Sequence, residues 1–247
     1  MPLPVRTILF DLDDTLFDHT ATARAALLAT AAARATLRAV PSEVLYQQYS
    51  ELLEELHPQV MMGQLSYLAA REVRFRRLLA PYESAPSVAD LADLAEQHYA
   101  HYRRLRQPVA GALALLRRLK PHYQLGVVTN NRTAEQEEKL AFLGMSGLVD
   151  ALITSEAVGV LKPDPAIYHA ALAQLHAAPE ETVMVGDNWQ ADVVGALAVG
   201  IRPVWLNRHG AARLFPQVPE LTSLEPVATV YELLTGVAPS TEDPKDK

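Results

Sequence analysis

The chain contains no cysteine among its 247 residues. Disulfides, thiolate nucleophiles and cysteine-ligated metal sites are thereby excluded. An excess of basic charge is also missing. Lys plus Arg number 22 against 29 Asp plus Glu, a formal net charge of −7. Nucleic acid and anionic membrane surfaces are recognised by basic faces, so neither is an expected partner. No apolar run approaches the roughly 18 residues of a membrane span. The alanine-rich stretch 21–35 is interrupted by Arg24 and Arg34. The N-terminal apolar run ends at Asp11 and is too short for the hydrophobic segment of a secretion signal. Internal repeats are absent as well. The expectation is a cytoplasmic chain acting on a small molecule, with 49% hydrophobic residues to build a core.

What the sequence does contain is a set of short apolar runs that end in polar residues. They are Val5–Phe10, Gln124–Thr129, Ala151–Thr154, Thr182–Val185 and Pro203–Leu206. Helix-patterned segments lie between the later ones, at Thr133–Leu143, Pro165–Leu175 and Ala191–Val199. Alternation of this kind, with continuously apolar strands, predicts an α/β fold. Its core is a Rossmann-like parallel sheet with helices on both faces. Residues 18–107 break the pattern. They hold no strand-like run and are rich in Ala, Leu, Glu, Gln and Arg, which favour helix. Pro41, Pro58, Pro81 and Pro86 punctuate them into about four predicted helices. A block this long exceeds an ordinary crossover, which holds one helix. It reads as an inserted helical cap, with the core formed by residues 1–17 and 108–237. Residues 238–247 read as a polar, disordered tail.

Four polar stretches fall at or near the carboxyl ends of predicted strands, where open α/β sheets bind ligands. The first is Asp11-Leu12-Asp13-Asp14-Thr15. Asp11 and Asp13 lie two apart and point the same way in an extended chain. Crowded carboxylates repel unless a cation neutralises them, and Mg²⁺ takes carboxylate oxygens readily; a solvated turn with capping aspartates is the alternative. The second is Thr129-Asn130-Asn131, ahead of a helix entered near Thr133, where free N–H groups suit phosphate. The third is Lys162-Pro163-Asp164-Pro165. There the prolines stiffen the entry to a helix, Asp164 is a natural cap, and Lys162 is a point charge suited to phosphate. The fourth is Gly186-Asp187-Asn188-Trp189-Gln190-Ala191-Asp192, two more carboxylates about one helical turn apart.

Taken in order, Asp-x-Asp-x-Thr, Thr-Asn, Lys-Pro and Gly-Asp-x-x-x-x-Asp resemble the haloacid dehalogenase superfamily. The likeness is to its phosphatase branch with a helical cap inserted after the first motif. The resemblance runs from about Val5 to Asn207. It implies that Asp11 is the nucleophile, forming an aspartyl-phosphate, and that Asp13 is the general acid and base. It implies a Mg²⁺ held by the Asp11 carboxylate, the Asp13 backbone carbonyl and the Asp187 carboxylate, with Asp192 acting through water or other ligands. Thr129 and the Asn130 N–H would bind phosphate oxygens, and Lys162 would balance both phosphate and nucleophile. An acid at Asp13 favours phosphoryl transfer over carbon–halogen chemistry, in which no leaving group needs a proton.

The resemblance thus implies a Mg²⁺-dependent phosphatase for a small soluble phosphomonoester, a nucleoside monophosphate or a sugar phosphate, working as a monomer or homodimer. A phosphomutase, a 2-haloacid dehalogenase and a non-catalytic phosphometabolite-binding protein are the alternatives. Where relatives often carry Thr-Asn-Gly, this chain has Asn131, a residue tolerant of left-handed backbone. His19, Trp189, the run Arg71, Arg74, Arg76 and Arg77, and the stretch Val60 to Gln64 are secondary candidates for substrate contact. Ordinary packing or a solvated helix face is the competing reading for each.

Overall fold

The computed structural model describes residues 3–84, 86–212 and 216–238. The chain divides into two compact units. One comprises residues 1–18 and 107–247, the other residues 19–106. Of the predicted tail, residues 239–247 lie outside the described residues.

The first unit is built on a six-stranded sheet. In chain order the strands are β1 (Thr7–Phe10), β2 (Gln124–Thr129), β3 (Ala151–Thr154), β4 (Thr182–Gly186), β5 (Arg202–Leu206) and β6 (Glu220–Leu221). Their spatial order is β3-β2-β1-β4-β5-β6, and every pairing is parallel. β1 is buried at all four positions because it lies centrally between β2 and β4, with Phe10 level with Val127 and Val185. The strand order reverses direction between β1 and β4, so their carboxyl ends open the crevice in which such sheets bind ligands. β6 has only two residues and carries no apolar run, which is why sequence pattern does not reveal it.

The helices that flank this sheet are α6 (Ala112–Leu119), α7 (Thr133–Phe142), α8 (Ser155–Val158), α9 (Pro165–Gln174), α10 (Gly195–Ala198) and α11 (Val227–Thr235). Asp164 caps α9, its side chain accepting from the Ala166 N–H at 2.9 Å, and Pro165 opens the helix. α6 buries Ala112, Leu115, Leu116 and Leu119, a helical stripe absent from the sequence reading. Each of those buried leucines contributes about 1.5–3 kcal/mol by leaving water. α9 packs Ile167, Tyr168, Ala171 and Leu172 into a cluster with Leu9, Val128, Ile153 and Met184. The predicted helix Ala191–Val199 instead begins at Trp189 as a π-helical turn, Trp189–Val194, and continues as α10.

The second unit is helical: α1 (His19–Ala32), α2 (Ala35–Arg38), α3 (Ser42–Met61), α4 (Tyr67–Leu79) and α5 (Val88–Arg104). These are five helices among the described residues, not about four; Pro41, Pro81 and Pro86 fall between helices as predicted, and Pro58 does not. Pro58 does not end a helix; it sits inside α3. It costs α3 one hydrogen bond, yet Glu54, whose carbonyl loses its donor, is exposed to water. Two breaks were not predicted from proline positions, one after Met61 at Gly63 and one after Ala32, in an alanine-rich stretch. Arg34 there is extended (φ −117°, ψ 118°). Its guanidinium binds Glu83 at 2.6 Å and Asp90 at 2.7 Å, so tertiary ion pairs override local helix propensity. Hydrogen bonding to Arg34 holds the Glu83 carboxyl down at about 2. Leu27, Leu45, Phe75, Leu78, Leu91 and Leu94 lie in the unit's own apolar cluster.

His98 of α5 is buried in the same unit, its ring centroid 5.2 Å from Tyr49 and 5.1 Å from Phe75. Neither ring nitrogen has a hydrogen-bond partner. Burial, reinforced by Arg74, pushes the imidazole down to about 3. Below about pH 6.5 the unfolded chain takes up a proton that the folded chain refuses, so stability falls with acidification by up to about 1.4 kcal/mol per pH unit. Measured by urea unfolding, the change in stability from about pH 7 to about pH 5 should be less favourable in the native chain than in His98→Leu, the difference being the contribution of His98. Equal acid sensitivity in both would contradict the assignment.

Candidate active site

Asp11 directly follows β1, and its N–H continues the ladder by donating to the Val185 carbonyl at 2.9 Å. The side chain is therefore delivered to the carboxyl end of the sheet at the switch between β1 and β4. It is 7% exposed. Lys162, 5% exposed, donates from Nζ to Asp11 Oδ1 at 2.6 Å, to Asp192 Oδ1 at 2.7 Å and to the Val128 carbonyl at 2.7 Å. Those three bonds use every hydrogen of the ammonium. Burial alone would lower the Lys162 pKa, but Asp11 and Asp192 outweigh it and hold the group well above the usual lysine range.

Asn130 fixes Lys162 by its side chain. Its Oδ1 accepts from the Lys162 N–H at 2.6 Å and its Nδ2 donates to the Lys162 carbonyl at 3.0 Å. Sequence reasoning valued Asn130 only for its backbone N–H, because a contact across 32 residues leaves no local pattern. Asn131 is not left-handed: among the described residues the non-glycine residues with positive φ are Asp14 and His176. Its Oδ1 instead accepts from the Arg132 N–H at 2.9 Å, which shapes the turn without glycine.

β4 ends at Gly186, whose lack of a side chain is required here. A Cβ would lie 2.2 Å from Cγ of Asp192. The π-helical turn after it brings Asp192 back against the strand end, where Oδ2 accepts from the Asn188 N–H at 3.0 Å. Asp187 accepts from Thr15 Oγ1 at 3.4 Å, and its carbonyl accepts from the Trp205 indole at 2.8 Å. Asp11, Asp187 and Asp192 each offer a carboxylate oxygen, all within 4.8 Å of one another. Burial pushes Asp11 up from 3.8 to about 7, against the pull of Lys162, and pushes Asp187 up to about 8. When all three are ionised, one ammonium leaves two negative charges uncompensated, the charge of one hard dication. The all-oxygen donor set suits such an ion.

Asp13 does not share this cluster. Its Oδ1 accepts from Lys139 Nζ at 2.6 Å. Its Oδ2 accepts from Gln136 Nε2 at 3.1 Å and Asn131 Nδ2 at 3.3 Å. The two motif carboxylates, alike in sequence, thus have separate partners. Asp192, expected to act at one remove from the ion, stands among the three clustered carboxylates. Thr129 ends β2 with its hydroxyl accepting from Gln136 at 2.7 Å. Gln136 and Lys139 were missed because polar residues in a helix read as a solvated face.

Several secondary candidates are engaged in packing or pairing, while Arg76 and residues 62–64 are exposed. His19 Nδ1 lies 2.8 Å from the Tyr102 hydroxyl. Trp189 meets Trp205 edge-on at 4.9 Å. Arg74 is buried and donates to the Tyr49 hydroxyl at 2.7 Å, so the arginine run is not wholly a solvated face. Arg77 pairs with Glu55 at 2.7 Å, and Arg71 lies over the Tyr99 ring at 3.7 Å.

Three aspartates gathered about a buried lysine at the switch point of a parallel sheet mark a sheet enzyme of acid-residue chemistry. The chain belongs to the haloacid dehalogenase-like hydrolase family, whose profile matches residues 5–200. It is 33% identical over 205 residues to the glyceraldehyde 3-phosphate phosphatase of Pyrococcus abyssi, covering 81% of each chain. It is 32% identical over 236 residues to the phosphoserine phosphatase of Thermus thermophilus, covering 87% of this chain and 92% of that one. Its fold resembles that of YfnB from Bacillus subtilis in a magnesium-bound crystal form. There the TM-score is 0.75 at 24% identity, with 93% of this chain and 100% of that one covered.

The raised carboxyl groups have a measurable consequence. They bind protons more tightly in the folded than in the unfolded chain, so the stability these two groups contribute to the metal-free protein is lost as pH rises from about 4 toward 8. A dication would replace those protons. Thermal unfolding should therefore show Mg²⁺ raising Tm by several degrees above about pH 8 and barely at all near pH 5. A Tm insensitive to Mg²⁺ at both would contradict the metal fit.

Proposed function

We propose that the chain is a Mg²⁺-dependent phosphatase that hydrolyses a small phosphomonoester through an aspartyl-phosphate on Asp11. The observation that carries this reading is the pair of differently held carboxyls on one loop. Asp11 is bound to Lys162 and Asp13 to Lys139, which gives a nucleophile and a separate acid two residues apart.

A carboxylate oxygen of Asp11 attacks phosphorus. The ester P–O bond breaks, and its electron pair leaves with the alkoxide oxygen, which takes the proton of the Asp13 carboxyl. Asp13, now a carboxylate, removes a proton from water as the water oxygen attacks phosphorus. The bond to Asp11 then breaks, releasing inorganic phosphate and restoring both carboxyl groups. Thr129 and the Asn130 N–H donate to phosphoryl oxygens. Lys162, its three hydrogens committed to protein acceptors, acts on the phosphoryl group as a fixed charge. Mg²⁺ held by the Asp11 and Asp187 carboxylates and the Asp13 carbonyl, with Asp192 beside them, would offset the negative charge of the phosphoryl group.

The substrate is a small phosphomonoester. Nucleoside monophosphates and sugar phosphates remain candidates, and the relatives' names add three-carbon phosphomonoesters. We assign substrate choice to the helical insert at residues 19–106, which follows the Asp11–Thr15 loop directly in sequence. A screen of phosphorylated metabolites with Mg²⁺ or EDTA, read by released phosphate, tests the proposal. Release should require Mg²⁺ and no bisphosphate activator. Asp11→Asn should lower kcat by on the order of 10³-fold, about 4 kcal/mol of barrier. Halide release from 2-haloacids without metal, or full turnover by Asp11→Asn, would sink it.

A further inference from the structure

Two side chains on α7 make or break no bond in that scheme, although both touch the groups that do. Gln136 and Lys139 lie three apart, on one face of the helix. They are 0% and 1% exposed. Burying an ammonium costs several kcal/mol unless it is paired, and an amide costs about 1–3 kcal/mol if left unsatisfied. Leu140 and Phe142 show that this helix can carry apolar side chains. We propose that Gln136 and Lys139 are positioning residues for the reaction. In this proposal they fix the carboxyl plane of Asp13 and the hydroxyl direction of Thr129. The inference rests on the phosphatase reading above.

Three contacts define the arrangement. Lys139 Nζ holds Asp13 Oδ1 at 2.6 Å, with Glu135 at 3.6 Å and the Phe17 ring centroid at 4.9 Å. Gln136 Nε2 gives one hydrogen to Asp13 Oδ2 at 3.1 Å and the other to Thr129 Oγ1 at 2.7 Å. Both oxygens of Asp13 are thus gripped from α7, which prevents rotation about the bond to the carboxyl group. The same amide occupies an acceptor lone pair of Thr129 and leaves the hydroxyl hydrogen to be donated elsewhere. The Gln136 Oε1 is buried without a hydrogen-bond partner. The amide is therefore oriented by what it donates, and the reverse orientation would set two oxygens against each other at Asp13.

The chemical consequence concerns the first step. When the ester P–O bond breaks, the leaving oxygen takes the Asp13 proton and Asp13 becomes an anion. Lys139 and Gln136 are donors already aimed at that anion, so no reorganisation is needed as the charge forms. Loss of this alignment should fall hardest on substrates whose leaving group needs the proton. A displacement of about 1 Å costs roughly 10²-fold in such a step. Gln136 has a further role, since it also aligns Thr129 toward the phosphoryl group that every substrate shares.

The test is kcat/KM for aryl phosphates of graded leaving-group basicity, from p-nitrophenyl to p-methoxyphenyl phosphate, on the full chain with Mg²⁺. Lys139→Met should leave p-nitrophenyl phosphate within about threefold and lower p-methoxyphenyl phosphate by roughly tenfold or more, steepening the dependence on leaving group. Lys139→Arg should restore a shallow dependence. Gln136→Leu should steepen it and also lower p-nitrophenyl phosphate by about tenfold. The ratio between two substrates does not depend on how much of a variant is folded, so a destabilised Lys139→Met still reports. Slopes equal to the native slope in both variants would overturn the positioning role. A native chain that releases phosphate from none of the esters would overturn the phosphatase reading instead.

Discussion

The Lys162 ammonium is the interaction on which the site depends. It is buried, and it bonds two carboxylates and a main-chain carbonyl at 2.6–2.7 Å. At an effective dielectric of about 20, each ion pair at this range contributes about 6 kcal/mol of Coulombic attraction, which offsets the desolvation of the charges. Without Lys162, Asp11 and Asp192 would be packed against each other with no cation between them. With it, the carboxylates are still one dication short of neutrality. When all three are ionised, that shortfall and the all-oxygen donor set at the ends of β1 and β4 suit one hard dication.

The geometry also separates two acids that the sequence presents as twins. Asp11 is turned to Lys162 and the metal-competent cluster, and Asp13 to α7. Each has its own lysine, one on the loop before α9 and one on α7. Different partners suit the separate roles proposed for them, nucleophile for Asp11 and proton donor for Asp13. Gln136 then joins the second acid to Thr129, so the groups proposed for leaving oxygen and phosphoryl oxygen are linked through one amide.

The parallel sheet was legible in sequence because its strands are apolar at nearly every position, as a sheet buried on both faces requires. Most motif residues were legible because they sit at or just after strand ends; Lys162, beyond α8, was legible from the prolines beside it. What local pattern could not carry was anything decided by distant partners. The break at Arg34 follows from Glu83 and Asp90, some fifty residues away. The pinning of Lys162 by Asn130 spans 32 residues. Lys139 and Gln136 looked like ordinary polar helix residues, since burial of a charged side chain is set by what faces it. β6 is too short to leave a periodicity, and Pro58 is tolerated because its missing hydrogen bond falls on an exposed turn.

The most direct measurement is the anomalous scattering of Mn²⁺ soaked into crystals of the full chain as a stand-in for Mg²⁺. The account predicts one strong peak bounded by the carboxylates of Asp11 and Asp187, with the Lys162 ammonium still on Asp11. No peak there, or a peak elsewhere with Asp11 and Asp187 turned away from each other, would contradict it.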